Sequence, residues 1–353
     1  MTKKLFAVCD LDGSYAERLT DYLNETQSRM FEVRAFSSAE SLLSYGEGHH
    51  ISLLLISTAA MSDAVRGLDA ERIVILSEGE QVREWEQEKH VYKYQSSDQL
   101  VAEVLDCYAS GAPGEPREKN RITCALAGVY SPVGRAGKTS FALTLSEILG
   151  RSRRVLYINL EDHSGFETII GSGSGQDLSD LIYFARQKEG DLGVRLQSVV
   201  RSAGSIDYIP PAFSPSDLRD VPAEEWLELL ARLCACTDYE VMVLDVGDRI
   251  DEFPLLLREC RRVYMPVLND RASAAKIRQF EKNLEALDYG DVLAKLQKIR
   301  LPRTQIQGSG GRLLENLASG RLGEFTKGLI REDKEWEAPD DRKTGARRTA
   351  GSA

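Results

Sequence analysis

The residues with the clearest chemical potential are Gly137-Lys138-Thr139-Ser140, preceded by Ser131-Pro132-Val133-Gly134-Arg135-Ala136. A glycine-rich turn that ends in lysine and a hydroxyl residue suits polyphosphate. Backbone N–H groups surround the anion, the ammonium reaches its outer oxygens, and the hydroxyl can ligate magnesium. That chemistry needs a strand in front of the loop and a helix behind it. Ile122-Thr123-Cys124-Ala125-Leu126-Ala127-Gly128-Val129 is a short apolar run suited to a buried parallel strand. Phe141, Leu145, Ile148 and Leu149 then recur at helical spacing. The residues expected to cradle phosphate are therefore Val133, Gly134, Arg135, Ala136, Gly137, Lys138, Thr139 and Ser140.

Arg154–Asp162 is an apolar run ending in Glu161 and Asp162, and Tyr239–Asp248 contains Asp245 where its apolar stretch closes. Ile206–Pro211 and Val263–Val267 read as further buried strands.

A second constellation lies near the N-terminus. Asp10 and Asp12 follow the apolar run Leu5–Val8, Ser57 closes Leu53–Ile56, and Ser77 and Lys93 close later strand-like runs. By themselves Asp10 and Asp12 read as a solvated strand-to-helix turn with a capping role. The cysteines (Cys9, Cys107, Cys124, Cys234, Cys236, Cys260) form no C-x-x-C pair and read as small buried thiols, and the histidines form no catalytic grouping.

The chain has 353 residues, which suggests two domains. Its 42% hydrophobic and 28% charged content is that of a globular protein. A net charge of −10 argues against a large nucleic-acid footprint. No apolar run approaches the length of a spanning helix, and Met1–Val8 reads as a first strand rather than a signal, so a cytoplasmic protein is expected.

Strands are expected at Leu5–Val8, Glu32–Ala35, Ser52–Ile56, Arg72–Leu76 and His90–Tyr92, with helices at Tyr15–Glu25, Ser38–Tyr45 and Gln99–Tyr108. This alternation suggests an α/β, doubly wound, flavodoxin-like sheet over residues 1–109. Residues 110–120 are small, polar and proline-broken and read as a linker. Residues 121–331 repeat the βα pattern as a second doubly wound α/β domain. Residues 332–353, rich in charge and small residues with a single Trp336, read as a disordered tail.

The first domain resembles the receiver domains of two-component signalling, with Asp10, Asp12, Ser77 and Lys93 at the matching strand ends. Ser57 stands where a receiver carries its phosphate-accepting aspartate. A hydroxyl without an activating base does not replace that carboxylate, so phosphotransfer is not expected and a protein-interaction role is. The second domain resembles the MinD/ParA family of P-loop ATPases, whose deviant loop reads K-G-G-x-G-K-T. Gly134 and Gly137-Lys138-Thr139 match it, while Pro132 departs from the general rule, Val133 replaces the signature lysine and Arg135 the second glycine. Glu161 aligns with the switch aspartate, Asn159 with the aspartate before it, and Asp245 with the Walker B aspartate. The resemblance therefore implies Thr139, Asp245 and Glu161 as the magnesium-facing residues, and Lys138, Glu161, Asp245 and Arg135 as the catalytic set. Arg300, Leu301 and Pro302 fall where that family lays the adenine.

The two-part layout resembles the TadZ/CpaE family of pilus-assembly localisation proteins, with the loop Ser131–Thr139, Tyr157–Glu161 and Leu314–Phe325 as its marks. The resemblance implies an ATP- and Mg2+-binding cytoplasmic homodimer at the cell pole, peripheral to the membrane through its partners. It also implies recruitment of Tad pilus components, including the secretion ATPase. Val133 cannot act as a trans cation, and Arg135 is either its substitute, in cis or in trans, or a solvent-exposed loop arginine. Slow or absent hydrolysis is therefore expected. The competing readings are a ParA-type partitioning ATPase that binds DNA, a signalling regulator using the receiver-like domain, and a metabolic P-loop enzyme.

Overall fold

The computed structural model describes residues 3–27, 30–79, 85, 88–109, 124–171, 175–187, 192–303, 308–333 and 336. The expected linker, 110–120, lies outside the described residues, as do Ile122 and Thr123. The chain divides into two compact units.

The first unit takes in residues 1–120 together with 174–200 and 229–237. Its sheet comprises β1 (Lys4–Cys9), β2 (Phe31–Phe36), β3 (Leu53–Ser57), β4 (Ile73–Ser77) and β5 (Lys89–Tyr92), all parallel in the order β2-β1-β3-β4-β5. That is a doubly wound order, and it follows from the βα alternation. β3 is buried at every position and is apolar but for its last residue, as a central parallel strand must be. Ser38 caps the helix Ala39–Gly46 by accepting from the Ser41 N–H at 3.2 Å. One face of the sheet is covered by the helices Gly13–Gln27 and Ser97–Ala109, whose Leu19, Leu23, Val101, Val104 and Leu105 join its core. The helix Leu192–Val199 packs on Ser97–Ala109, with Val194 fully buried and Arg195 ion-paired to Asp106. No βα pattern in residues 1–109 announces a covering element from a hundred residues downstream.

The second unit takes in 121–173, 201–228 and 238–353. Its strands are β6 (Ala125–Val129), β7 (Val155–Leu160), β8 (Arg201–Ala203), β9 (Ile206–Ile209), β10 (Val241–Val246), β11 (Arg262–Pro266) and β12 (Leu296–Ile299). They form one seven-stranded sheet, β12-β11-β6-β10-β7-β9-β8, parallel except for the β8–β9 pair. The central strands β7 and β10 are buried throughout. Register sets Asp245 opposite both Val129 and Asn159, so the carboxyl ends of β6, β10 and β7 lie side by side. Loops leaving those ends meet at one crevice, where open α/β sheets bind ligands.

The helix Lys138–Gly150 covers one face of this sheet, with Phe141 and Leu145 fully buried. The helices Gly310–Ser319 and Arg321–Glu332, broken at Gly320, pack against it. Beyond them the expected tail needs correcting at two residues. Asp333 is 6% and Trp336 4% exposed, and Trp336 belongs to the unit's core. Asp333 accepts two hydrogen bonds from Arg262, at 2.8 and 2.7 Å, and one from the Tyr264 hydroxyl at 3.1 Å. The Trp336 indole donates to that hydroxyl at 2.6 Å. Composition marks a solvated end, but an aromatic and a carboxylate at its start have long-range partners that composition does not register.

Candidate functional site

The loop after β6 is held from both sides. Ser131 Oγ donates to the Pro266 carbonyl at 2.7 Å and accepts from the Val133 N–H at 3.1 Å, tying the loop to the end of β11. Val133 is buried at 6% exposure, so this apolar residue anchors the turn. Gly134 and Arg135 are exposed. Arg135 has φ +60°, a left-handed conformation that costs a residue with a Cβ about 1 kcal/mol. Gly137 has φ +89° and closes the turn as the N-cap of Lys138–Gly150. A Cβ there would stand 3.0 Å from a Leu301 methyl, so the glycine is needed for conformation and for space. The first N–H groups of this helix have no intrahelical acceptor, and its positive end faces the turn.

Lys138 Nζ lies 2.6 Å from Glu161 Oε1, donates to the Val246 carbonyl and sits 5.7 Å from the Tyr130 ring centre. Three expected residues, Lys138, Glu161 and Asp245, are thus brought together by the ends of β6, β7 and β10. Asp245 is fully buried. The Tyr157 hydroxyl donates to its Oδ2 at 3.0 Å, while Oδ1 is buried with no hydrogen-bond partner. Burial pushes its carboxyl up to about 6; Lys138 opposes the rise, Glu161 adds to it, and Thr139 and Tyr157 oppose it.

Sequence reasoning missed Tyr157 and the place of Asn159 in this cluster. Asn159 Nδ2 donates to the Tyr157 hydroxyl at 2.9 Å and its Oδ1 accepts from the Glu161 N–H at 2.9 Å. A chain of contacts therefore runs from Asp245 through Tyr157 and Asn159 to Glu161. The available signal was strand alternation, which puts residues 157 and 159 on one face. Arg249, also missed, pairs with Asp162 at 3.0 Å and links the loops after β10 and β7. Of the expected base-binding residues, Leu301 reaches the loop at Gly137, whereas Arg300 lines a separate cavity of about 500 Å3 with Lys298, Arg271 and Arg278.

The residues fit a polyphosphate with a divalent cation. A buried carboxylate oxygen without a partner, beside a threonine hydroxyl and a lysine, is the donor set such a pair requires. Lys138 and the N–H groups of the turn would hold phosphate oxygens, with Thr139 and Asp245 towards the cation. The bound cation would supply charge neutralisation at those oxygens.

In the first unit Lys93 Nζ lies 2.8 Å from Asp10 Oδ2 and 3.0 Å from Glu78 Oε1, with the Tyr15 ring centre at 4.7 Å. Burial works against the ammonium, but Asp10 and Glu78 outweigh it and hold its pKa above the ordinary lysine value. Asp12 accepts from the Tyr15 N–H at 3.2 Å and so caps the following helix, while the Asp12 N–H donates to Asp10 at 2.9 Å. Ser57 is buried, and its hydroxyl has no hydrogen-bond partner. The lysine thus occupies the acidic position itself.

No protein-family model matches the chain, and no curated protein matches it. Part of the chain is similar to several solved structures. A ParA family ATPase from Chlorobium tepidum TLS is 17% identical at a TM-score of 0.47, covering 58% of this chain and 96% of that one. Cobyrinic acid a,c-diamide synthase from Mycobacterium smegmatis, with bound ADP and magnesium, is 13% identical at a TM-score of 0.43, covering 59% and 95%. An ATP complex of a variant Cyanothece McdA is 16% identical at a TM-score of 0.40, covering 55% and 76%. No helix among the described residues is long and apolar enough to cross a membrane.

Proposed function

We propose that the chain is an ATP–Mg2+-binding switch of the MinD/ParA type, working as a homodimer with slow or absent hydrolysis. The observation that carries it is the meeting of Lys138, Glu161 and the partnerless Oδ1 of Asp245 at the mouth of the Gly137-Lys138-Thr139 turn. Lys138 is held by Glu161 and Val246 and must exchange them for phosphate oxygens. Glu161 is then released from its ion pair, so occupancy is signalled to the loop after β7. Occupancy stabilises whichever assembly binds it better, and nothing else is required of a switch.

Slow turnover follows from Val133, which supplies no cation across an interface, and from Glu161, one methylene longer than aspartate in placing water. The finer reading is a localisation and scaffold protein for a Tad pilus secretion machine, cytoplasmic and polar. It is supported by the sequence resemblance in Ser131–Thr139 and Tyr157–Glu161 and by a first unit whose acidic position is taken by Lys93.

Solution mass by light scattering, without nucleotide, with ADP and with ATP–Mg2+, tests the switch beside Lys138→Ala. A monomer-to-dimer shift that needs both ATP and Lys138 is expected; one mass in every condition removes the switch. Losing the lysine's charge-assisted hydrogen bonds should weaken ATP binding by roughly 10- to 100-fold. Turnover on the order of 1 s−1 or faster would overturn the slow-hydrolysis reading. Direct binding to the purified Tad secretion ATPase tests the pilus role, and its absence removes that assignment alone.

A further inference from the structure

The second unit holds a cavity of about 690 Å3 beside the phosphate site, with Tyr130 and Pro132 shared between the two. Its inner wall is aromatic. The Tyr130 ring centre lies 4.6 Å from that of Phe253 and 5.0 Å from that of Phe280, with Leu284 beside them. Its mouth is acidic: Asp248, Asp251 and Glu252 line it against a single cation, Lys276. These carboxylates are exposed and have no ion-pair partner among the described residues. A second observation points inward. Tyr130 is 4% exposed and lines the cavity, yet its hydroxyl makes no hydrogen bond among the described residues. The ring is enclosed while the hydroxyl oxygen keeps some exposure, so it is available to a ligand.

We infer that this cavity binds an organic cation, a guanidinium or ammonium group on an apolar stem. The size falls within the range of small-ligand pockets, about 300–1,000 Å3. The stem would lie on Phe253, Phe280 and Leu284, and the cation would be neutralised by the rim carboxylates Asp248, Asp251 and Glu252. The Tyr130 hydroxyl supplies an acceptor for one N–H of the ligand. An anion is repelled by the rim, and a neutral isostere gains only the apolar contact. The same chemistry comes from a free amine or guanidine or from an arginine side chain on a partner protein.

Calorimetry on the full chain with n-hexylguanidinium, hexylurea and hexanoate tests it. One molecule of the guanidinium is expected to bind per chain, about tenfold or more tighter than hexylurea, with hexanoate not binding. The double variant Asp251→Asn/Glu252→Gln, altered only at exposed positions, should lose that preference. Tyr130→Phe, which keeps the ring, should weaken the cation more than the urea while leaving the melting temperature within a few degrees. Equal binding of cation and urea, or an undiminished preference in the double variant, overturns the site. The peptide acetyl-Leu-Arg-Leu-amide separates the sources. Tighter binding than n-hexylguanidinium identifies a protein side chain, weaker binding a free cation, and either result sustains the site.

Discussion

Asp245 carries the sharpest prediction at the scale of single residues. Its carboxyl is raised to about 6 in the folded chain, against about 3.9 when unfolded. Between those values the folded state binds the extra proton, so the group's contribution is fully present below about pH 4 and lost as pH rises through about 6. The difference is worth about 2–3 kcal/mol. Asp245→Asn should therefore be more stable than the parent at pH 7.5 without ligand, and the advantage should vanish towards pH 4. Urea unfolding of both proteins across that range checks it, and a constant difference would show that Lys138 already compensates the charge. Arg135 is tested at the same scale. Arg135→Ala is expected to slow what hydrolysis there is or to weaken ATP binding, and unchanged values for both would leave it a loop arginine.

At the scale of elements, the site depends on how closely the ends of β7 and β10 approach. The Gly247 N–H donates to the Leu160 carbonyl at 3.2 Å, and a Cβ on Gly247 would stand 2.4 Å from that oxygen. Gly247→Ala must push the two strand ends apart, at a cost of about 1–3 kcal/mol. Because Asp245 and Glu161 lie within two residues of this contact, ATP binding should fall together with stability. Thermal unfolding and a nucleotide titration on the same variant check it; lost stability with intact binding would separate the strand junction from the site.

At the scale of the whole molecule, residues remote in sequence complete each unit. Trp336 closes the core of the second unit beside Tyr264, while Asp333 accepts from Nε and Nη2 of Arg262. Trp336→Ala should cost about 3 kcal/mol or more, read as a lowered midpoint in urea, and no change would show the anchor to be dispensable. In the first unit the helix Leu192–Val199 covers Ser97–Ala109. A fragment of residues 1–109 should accordingly bind the dye ANS and unfold at lower urea than the same residues in the full chain. Equal midpoints would show that the covering helix adds nothing.

The local elements and the phosphate-type turn were legible in the sequence because their causes are local. Apolar runs of four to six residues made the strands, helical spacing after Thr139 made the helix, and the glycines of the turn have a conformational reason that neighbours do not alter. The candidate residues Lys138, Glu161 and Asp245 could be read for the same reason, each closing or opening an element. Tertiary structure alone decided what those residues touch. Strand order and register set Asp245 opposite Asn159, so Tyr157 and Asn159, plain strand residues in the sequence, became the support of the site. Asp333 and Trp336 left the expected tail, and Leu192–Val199 joined the first unit, because partners distant in sequence supplied their burial. Periodicity records which face of an element is apolar; it does not record which distant surface will cover that face.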